Sequence, residues 1–168
     1  MSYLIDSNVL ITAKNFYYDP SICPGFWEWM EYSFNSSKIK SIDLVKRELE
    51  KQKKDTLAVW LREKKQNHWF AESDDFHVIE KFREVQEYVM SQGYMPAALD
   101  DFFREEVADP WLIAHGMVSG DTIVTLEKPK PANTKKSVPM ASLCEHFGVS
   151  YIDTFNLLRQ FNASFHLK

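Results

Sequence analysis

Short apolar segments alternate along this chain with longer segments of helical periodicity. The short segments are 3–5, 39–42, 68–70, 122–125 and 149–152, and residues that favour strands are common in them. Between them, apolar residues recur every three or four positions, most regularly in residues 74–92. This alternation is typical of βα units, in which successive strands pair in parallel. We therefore expect an α/β fold built on a short central parallel sheet.

The helical segments account for most of the remaining chain. They are predicted at residues 8–18, 24–35, 44–52, 55–66, 74–92, 96–103, 110–118 and 139–148, with a last helix from Thr154. Asp43 is the expected N-cap of the third of these helices. With 168 residues, no repeat and no convincing linker, the chain fits one domain, residues 1–168, in which about 55–104 is mostly helical.

Composition and charge exclude several classes of protein. No apolar run approaches the ~20 residues that span a bilayer, and the chain does not open like a secretory signal. Cys23 and Cys144 stand at no metal-ligand spacing, so we expect a cytoplasmic protein without membrane contact. The net charge is −4, so any contact with nucleic acid must be local. Two basic patches are candidates, although each alone is typical of a solvated surface: Lys46, Arg47, Lys51, Lys53 and Lys54, then Lys128, Lys130, Lys135 and Lys136.

Four acidic residues stand close to the ends of predicted strands and helices. Asp6 directly follows the first strand, Glu48 lies in the helix after the second, Asp109 precedes a helix, and Glu127 follows strand 122–125. Ligands of parallel sheets bind beyond the carboxyl ends of the strands. Carboxylates gathered there need protons or cations to neutralise them. Mg²⁺ or Mn²⁺ suits such oxygen ligands, and two ions about 4 Å apart can support phosphodiester hydrolysis.

Each of these acids also has an ordinary explanation. Asp109 before Pro110 is a common helix start, N-cap then N1. Glu48 stands three residues before Lys51, as in a surface ion pair. Glu127 could serve solubility, and residues 6–8 could form a capping turn. Taken singly, the ordinary explanations suffice; the four acids together are more specific.

Four ordered motifs resemble those of the PIN-domain family, the metal-dependent ribonuclease fold that includes the VapC-type toxins. The motifs are Asp6-Ser7-Asn8 followed by VLI, Val45-Lys-Arg-Glu48-Leu49, Ala108-Asp109 before an apolar helix, and Val124-Thr125-Leu126-Glu127. They span nearly the whole chain in the family's order. The tail CEHFGVSYIDTFNLLRQF is similar to the closing segment of an uncharacterised PIN-like subgroup.

The resemblance implies a three-layer α/β/α sandwich and a Mg²⁺/Mn²⁺-dependent endoribonuclease with one or two ions. Asp6, Asp109 and Glu127 would hold the metal directly or through water, and Glu48 would orient the attacking water. Asn8 and Thr125 would support the ligands from behind. The chain would then act on RNA, as the toxin of a type II toxin–antitoxin pair with an antitoxin partner. The four residues that would meet RNA phosphates are Lys128, Lys130, Lys135 and Lys136.

The chain departs from the family in two places. The fourth acid is Glu127, where the family has Asp, and a longer side chain changes how the carboxylate reaches a metal. Region 55–104 is longer, more acidic and more aromatic than in the small toxins. Both departures bear on the substrate and on any antitoxin.

Other residues and functions fit less well. No histidine pair has a ligand spacing, and Cys144 fits a core position better than a nucleophile. Core packing is the ordinary role expected for the rings of helix 24–35, Phe26, Trp27, Trp29 and Phe34. Because they occur on several faces, a partner or homodimer surface there is a second expectation. A haloacid-dehalogenase-type phosphohydrolase is an alternative, but it needs a second acid where this chain has Asn8. A catalytically degenerate PIN-like binding protein is the other.

Overall fold

The computed structural model describes residues 2–51, 55–64 and 68–166. Within them, five strands form one sheet: β1 (Tyr3–Ile5), β2 (Ile39–Ile42), β3 (Phe70–Ala71), β4 (Thr122–Val124) and β5 (Tyr151–Ile152). Their order is β3-β2-β1-β4-β5, and every pairing is parallel. The predicted α/β fold with a short central parallel sheet is confirmed.

The helices flank this sheet in two groups. In chain order they are α1 (Ser7–Thr12), α2 (Pro24–Asn35), α3 (Asp43–Glu50), α4 (Thr56–Glu63), α5 (Phe76–Ser91), α6 (Pro96–Phe102), α7 (Asp109–Ser119), α8 (Met140–Phe147) and α9 (Thr154–Gln160). Right-handed crossovers place the helices before β3 on one face and those between β3 and β5 on the other. The contacts agree, since α3 packs on α1 and α4, whereas α7 packs on α5 and α8.

The central strands are buried on both faces. Leu4, Ile5, Ile123 and Val124 have no exposed surface, which explains why these strands are continuous apolar runs without alternation. The sheet core therefore fixes the ends of β1 and β4 in register, with Ile5 opposite Val124.

The core packing expected for the rings of α2 is confirmed for three of them, so these three form no partner or dimer surface. Phe26, Trp27 and Phe34 are buried. Phe26 stacks on Tyr18 with ring centroids 4.4 Å apart, and Phe34 stacks on Trp69 at 4.6 Å. Rings distant in sequence thus cover the faces that carry Phe26 and Phe34, whereas Tyr32 of the same helix is 62% exposed.

Several boundaries differ from the predicted ones. Helix 8–18 changes type, because α1 ends at Thr12 and residues Ala13–Tyr17 form a π-helical turn. The third and fifth strands are shorter or shifted relative to segments 68–70 and 149–152. Helix 74–92 begins only at Phe76, with Asp75 as its cap. Residues 65 and 66 of the fourth helix, and Lys53 and Lys54 of the first basic patch, lie outside the described residues.

Asp43 is the first residue of α3 instead of its predicted N-cap. Its carboxylate accepts hydrogen bonds from Ser73 Oγ at 2.6 Å and Arg47 Nη2 at 2.7 Å. Because the Ser73 hydroxyl already donates to Asp43, it accepts the hydrogen bond from His115 Nε2, which lies 3.1 Å from Ser73 Oγ. His115 is buried in α7, and burial lowers its pKa to about 4. This chain of hydrogen bonds ties α3 to α7, the helices that carry Glu48 and Asp109.

Candidate active site

The carboxyl ends of β1 and β4 form the centre of the candidate site. The connections that leave these two neighbouring strands run to opposite faces of the sheet, which opens a crevice between them. Asp6 stands in this crevice directly after β1, and its backbone N–H donates to the carbonyl oxygen of Val124 at 3.0 Å. Its side chain is buried. The first predicted site residue therefore lies at the switch point of the sheet.

A network of hydrogen bonds holds Asp6 from behind. Thr125 Oγ1 donates to Asp6 Oδ2 at 2.8 Å, and Asn8 Nδ2 donates to Thr125 Oγ1 at 3.2 Å. The backbone N–H of Leu126 donates to Asn8 Oδ1 at 3.2 Å. Asn8 and Thr125 thus join the segment after β1 to the segment after β4. Thr125 contacts the Asp6 carboxylate directly, and Asn8 contacts it through Thr125.

Asp6, Glu48 and Asp109 line one open cavity of about 320 Å³. Asp109 reaches it because α7 runs back along the sheet. The helix ends at Ser119, and the next residue, Gly120, has a φ of 70° that turns the chain into β4. Asp109 is the first residue of α7, so its expected role as N-cap is wrong; Ala108 occupies that position. Glu48 forms no ion pair with Lys51 among the described residues, although both side chains line this cavity.

Glu127 is the one of the four predicted acids that does not line this cavity. Its Oε2 accepts the backbone N–H of Met140 at 2.9 Å, at the start of α8, and its own N–H donates to Thr125 Oγ1 at 3.2 Å. One carboxylate oxygen of Glu127 therefore caps a helix.

The charges of the four acids act on one another. Burial raises the pKa of Asp6, and the nearby carboxylates of Glu48 and Glu127 raise it further. Burial also raises the pKa of Asp109, followed by the charges of Asp6, Glu127 and Glu48. Burial raises the pKa of the Cys144 thiol to about 12, and the charges of Glu127, Asp109 and Asp6 also raise it. The thiol stays neutral, as expected for a core residue.

The oxygen donors suit a hard divalent cation in their chemistry but are not arranged as a ready-made site. Across the described ranges, no group of three or more His, Cys, Asp or Glu side chains could hold a metal ion as placed. Oxygens of Asp6 and Glu127 are engaged by Thr125 and Met140 instead.

The four predicted RNA-binding lysines occupy different surroundings. Lys136 lines a cavity that Asp109 also lines. Lys130 Nζ donates to Ser137 Oγ, Lys135 Nζ donates to the Gln92 carbonyl, and Lys128 is exposed on the loop. Sequence reasoning missed Arg104, which lines the central cavity, and had no signal for it. Lys51 of the first predicted basic patch also lines this cavity.

Comparison with solved structures supports the fold. The chain is similar to a chain in the crystal structure of VapBC2 from Rickettsia felis bound to a DNA fragment from their promoter, with a TM-score of 0.54. The two are 14% identical, and the match covers 91% of this chain and 98% of that one. At this identity the likeness concerns the fold alone, and it agrees with the expected PIN-like architecture.

Three further findings bear on classification. No described helix has the length and apolar character to cross a membrane. A comparison with curated proteins gives no match. One family model, described as "Domain of unknown function (DUF4411)", matches residues 3–165. Because this match spans nearly the whole sequence, the chain belongs to the DUF4411 family.

Proposed function

We propose that this protein is a PIN-type endoribonuclease that hydrolyses RNA phosphodiester bonds with Mg²⁺ or Mn²⁺. The observation that carries the proposal is the convergence of Asp6, Glu48 and Asp109 on one cavity at the switch point of the sheet. These residues come from three distant parts of the sequence. The order of the PIN-like motifs and the likeness in fold to a VapBC2 chain support the same conclusion.

Each residue has a separate role in the proposal. Asp6 and Asp109 would hold one or two ions, and Glu127 would contribute directly or through water with its remaining oxygen. Glu48 orients the attacking water, while Thr125 and Asn8 fix the carboxylate of Asp6. The bound metal would lower the pKa of water and stabilise the leaving oxygen.

Cleavage of labelled single-stranded RNA tests the proposal. We expect cleavage with Mn²⁺, none with EDTA, and a loss of at least about 100-fold in Asp6→Asn and Asp109→Asn. Asp74→Asn is the matched control, because Asp74 is exposed and outside the cavity. Circular dichroism must show that the variants are folded. Wild-type rates in both cavity variants would show that the mechanism is wrong.

A PIN-like binding protein without catalysis is the second candidate. The absence of a pre-arranged metal cluster among the described residues favours it. Calorimetric titration with Mn²⁺ separates the two candidates, because a catalytic site binds the ion and a degenerate site does not bind it at millimolar concentration. The phosphohydrolase alternative is weaker, since the Asn8 amide is held by Thr125 and Leu126.

A toxin of a toxin–antitoxin pair is the biological role that we propose for this nuclease in the cytoplasm. The fold match to a chain from VapBC2 supports an antitoxin protein as partner. Expression of the wild-type chain should stop bacterial growth, and Asp6→Asn should not. Equal growth with both chains would argue against a toxin. A homodimer stays a prediction that light scattering can check.

A further inference from the structure

The cavity over the acids shares lining residues with two smaller cavities, and we call the three together the groove. A cavity of about 300 Å³ shares Glu48 and Lys51 with the central one, and we call it the α3 recess. A cavity of about 180 Å³ shares Val107 and Asp109 with the central one, and we call it the α7 recess. The acids therefore lie in the middle of a groove, with a recess on the wall of each helix that supplies an acid.

Two of the four cations that line this groove have no ion-pair partner among the described residues. Lys14 pairs with Asp55, and Arg104 pairs with Asp101 at 3.2 Å. Lys51 and Lys136 form no such pair within the described ranges. Lys51 borders the α3 recess, and Lys136 borders the α7 recess. On each side of the acids, the recess is thus bordered by one lysine without an ion-pair partner in the part of the chain that the structure describes.

Each recess also has apolar walls beside its lysine. Ile11, Leu49 and Leu57 line the α3 recess. Ala98, Phe102 and Val138 line the α7 recess. An unpaired base can enter such a recess while its phosphate meets the lysine. A duplex keeps its bases paired inside and would leave both recesses empty.

We propose that single-stranded RNA lies along the whole groove, and that Lys51 and Lys136 bind the phosphates on either side of the one that is cleaved. Both are positioning residues, because they hold the strand and do not touch the reacting atoms. The groove continues on both sides of the acids, so cleavage is internal and needs no free end. This inference rests on the proposed function and adds its substrate-binding residues.

Binding measured apart from cleavage tests the inference. We would use fluorescence anisotropy of a labelled 12-nucleotide RNA in the Asp6→Asn background with Mg²⁺, from 50 to 300 mM salt. Each contact to a single-strand phosphate contributes about 0.7 to the salt slope of log K. Lys51→Gln and Lys136→Gln should each reduce that slope by about 0.7 and weaken binding about fourfold near 0.15 M salt. The double variant should lose about twice the slope.

Lys38→Gln is the matched control, because it removes the same charge from a lysine that is exposed and outside the three cavities. It should keep the wild-type slope. In the active protein, circular RNA should be cut as readily as linear RNA. If Lys51→Gln and Lys136→Gln leave the salt slope unchanged while the wild-type protein still cleaves RNA, RNA does not bind along the groove, but the proposed nuclease activity stands. No cleavage and no binding by any form would overturn both.

Discussion

Thr125→Val isolates the hydrogen-bond network behind Asp6 with almost no change of shape. Thr125 is 1% exposed, and valine replaces its hydroxyl by a methyl group. The change removes the donor to Asp6 Oδ2 and the acceptor of two N–H groups, those of the Asn8 side chain and the Glu127 backbone. Three hydrogen bonds are lost at the junction of β1 and β4.

The expected cost follows from how buried each orphaned group is. Asp6 is 2% exposed, so its carboxylate loses a charge-assisted bond that costs about 1.5–3 kcal/mol. Asn8 and Glu127 are only partly buried, and water can replace much of what they lose. We expect a loss of about 2–4 kcal/mol in the free energy of unfolding. The pKa of Asp6 rises further, because the Thr125 hydrogen bond favours the ionised carboxylate.

Catalysis should fall along with stability. Loss of a residue that orients a metal ligand typically lowers affinity or activity by about 10–100-fold. Urea unfolding would measure the first effect, and Mn²⁺ titration with RNA cleavage the second. Thr125→Ser keeps the hydroxyl and should restore most of both. If Thr125→Val binds Mn²⁺ and cleaves RNA like the wild type, or if Thr125→Ser fails equally, the network does not position Asp6.

Two further predictions concern pH and Glu127. Burial lowers the pKa of His115 from 6.5 to about 4, so His115 takes up a proton on unfolding at a pH between these values. The free energy of unfolding should therefore fall by about 2 kcal/mol from pH 7 to pH 5. In urea unfolding, His115→Gln should not show this fall in stability, whereas His77→Gln, which changes an exposed histidine, should show it. Equal pH dependence in both variants would contradict the role given to His115. Glu127→Gln keeps an acceptor for the Met140 N–H and should unfold like the wild type but bind Mn²⁺ more weakly. Glu127→Ala should also lose about 1 kcal/mol of stability, and equal stability of the two variants would exclude the capping role.

Sequence reasoning reached Asp6 because it follows a strand immediately, and the resemblance to the PIN-domain motifs gave Thr125, which the structure places just after β4. In a parallel sheet the carboxyl ends of neighbouring strands meet at one edge, so residues just beyond two such ends are close whatever the loops do. Glu127 lies two residues farther on, and its direction depends on where α8 begins in space. The Met140 N–H that it caps is thirteen residues away in the sequence. No local pattern marks that partner.

For a related reason, the second expectation for α2, a partner surface, is wrong at its three buried rings. The rings of α2 occur on several faces, and a helix considered alone exposes some of them. The partners that cover them come from other elements, among them Trp69 for Phe34 and Trp60 for Trp27. Such coverage is set by tertiary packing, which periodicity does not encode.

The buried Asp121 shows how Asp6 and Asp109 differ from a structural acid. Asp121 lies at the opposite edge of the sheet, before β4, and pairs with Lys40 at 2.7 Å. It also accepts the backbone N–H of Ser2 at 2.9 Å, and these partners hold its pKa well below the usual range. Asp6 and Asp109 form no ion pair with a described residue, and their pKa values are raised. The carboxyl at one edge of the sheet thus has a cationic partner, whereas those at the other edge have none among the described residues, and the cation site that we propose there would supply one.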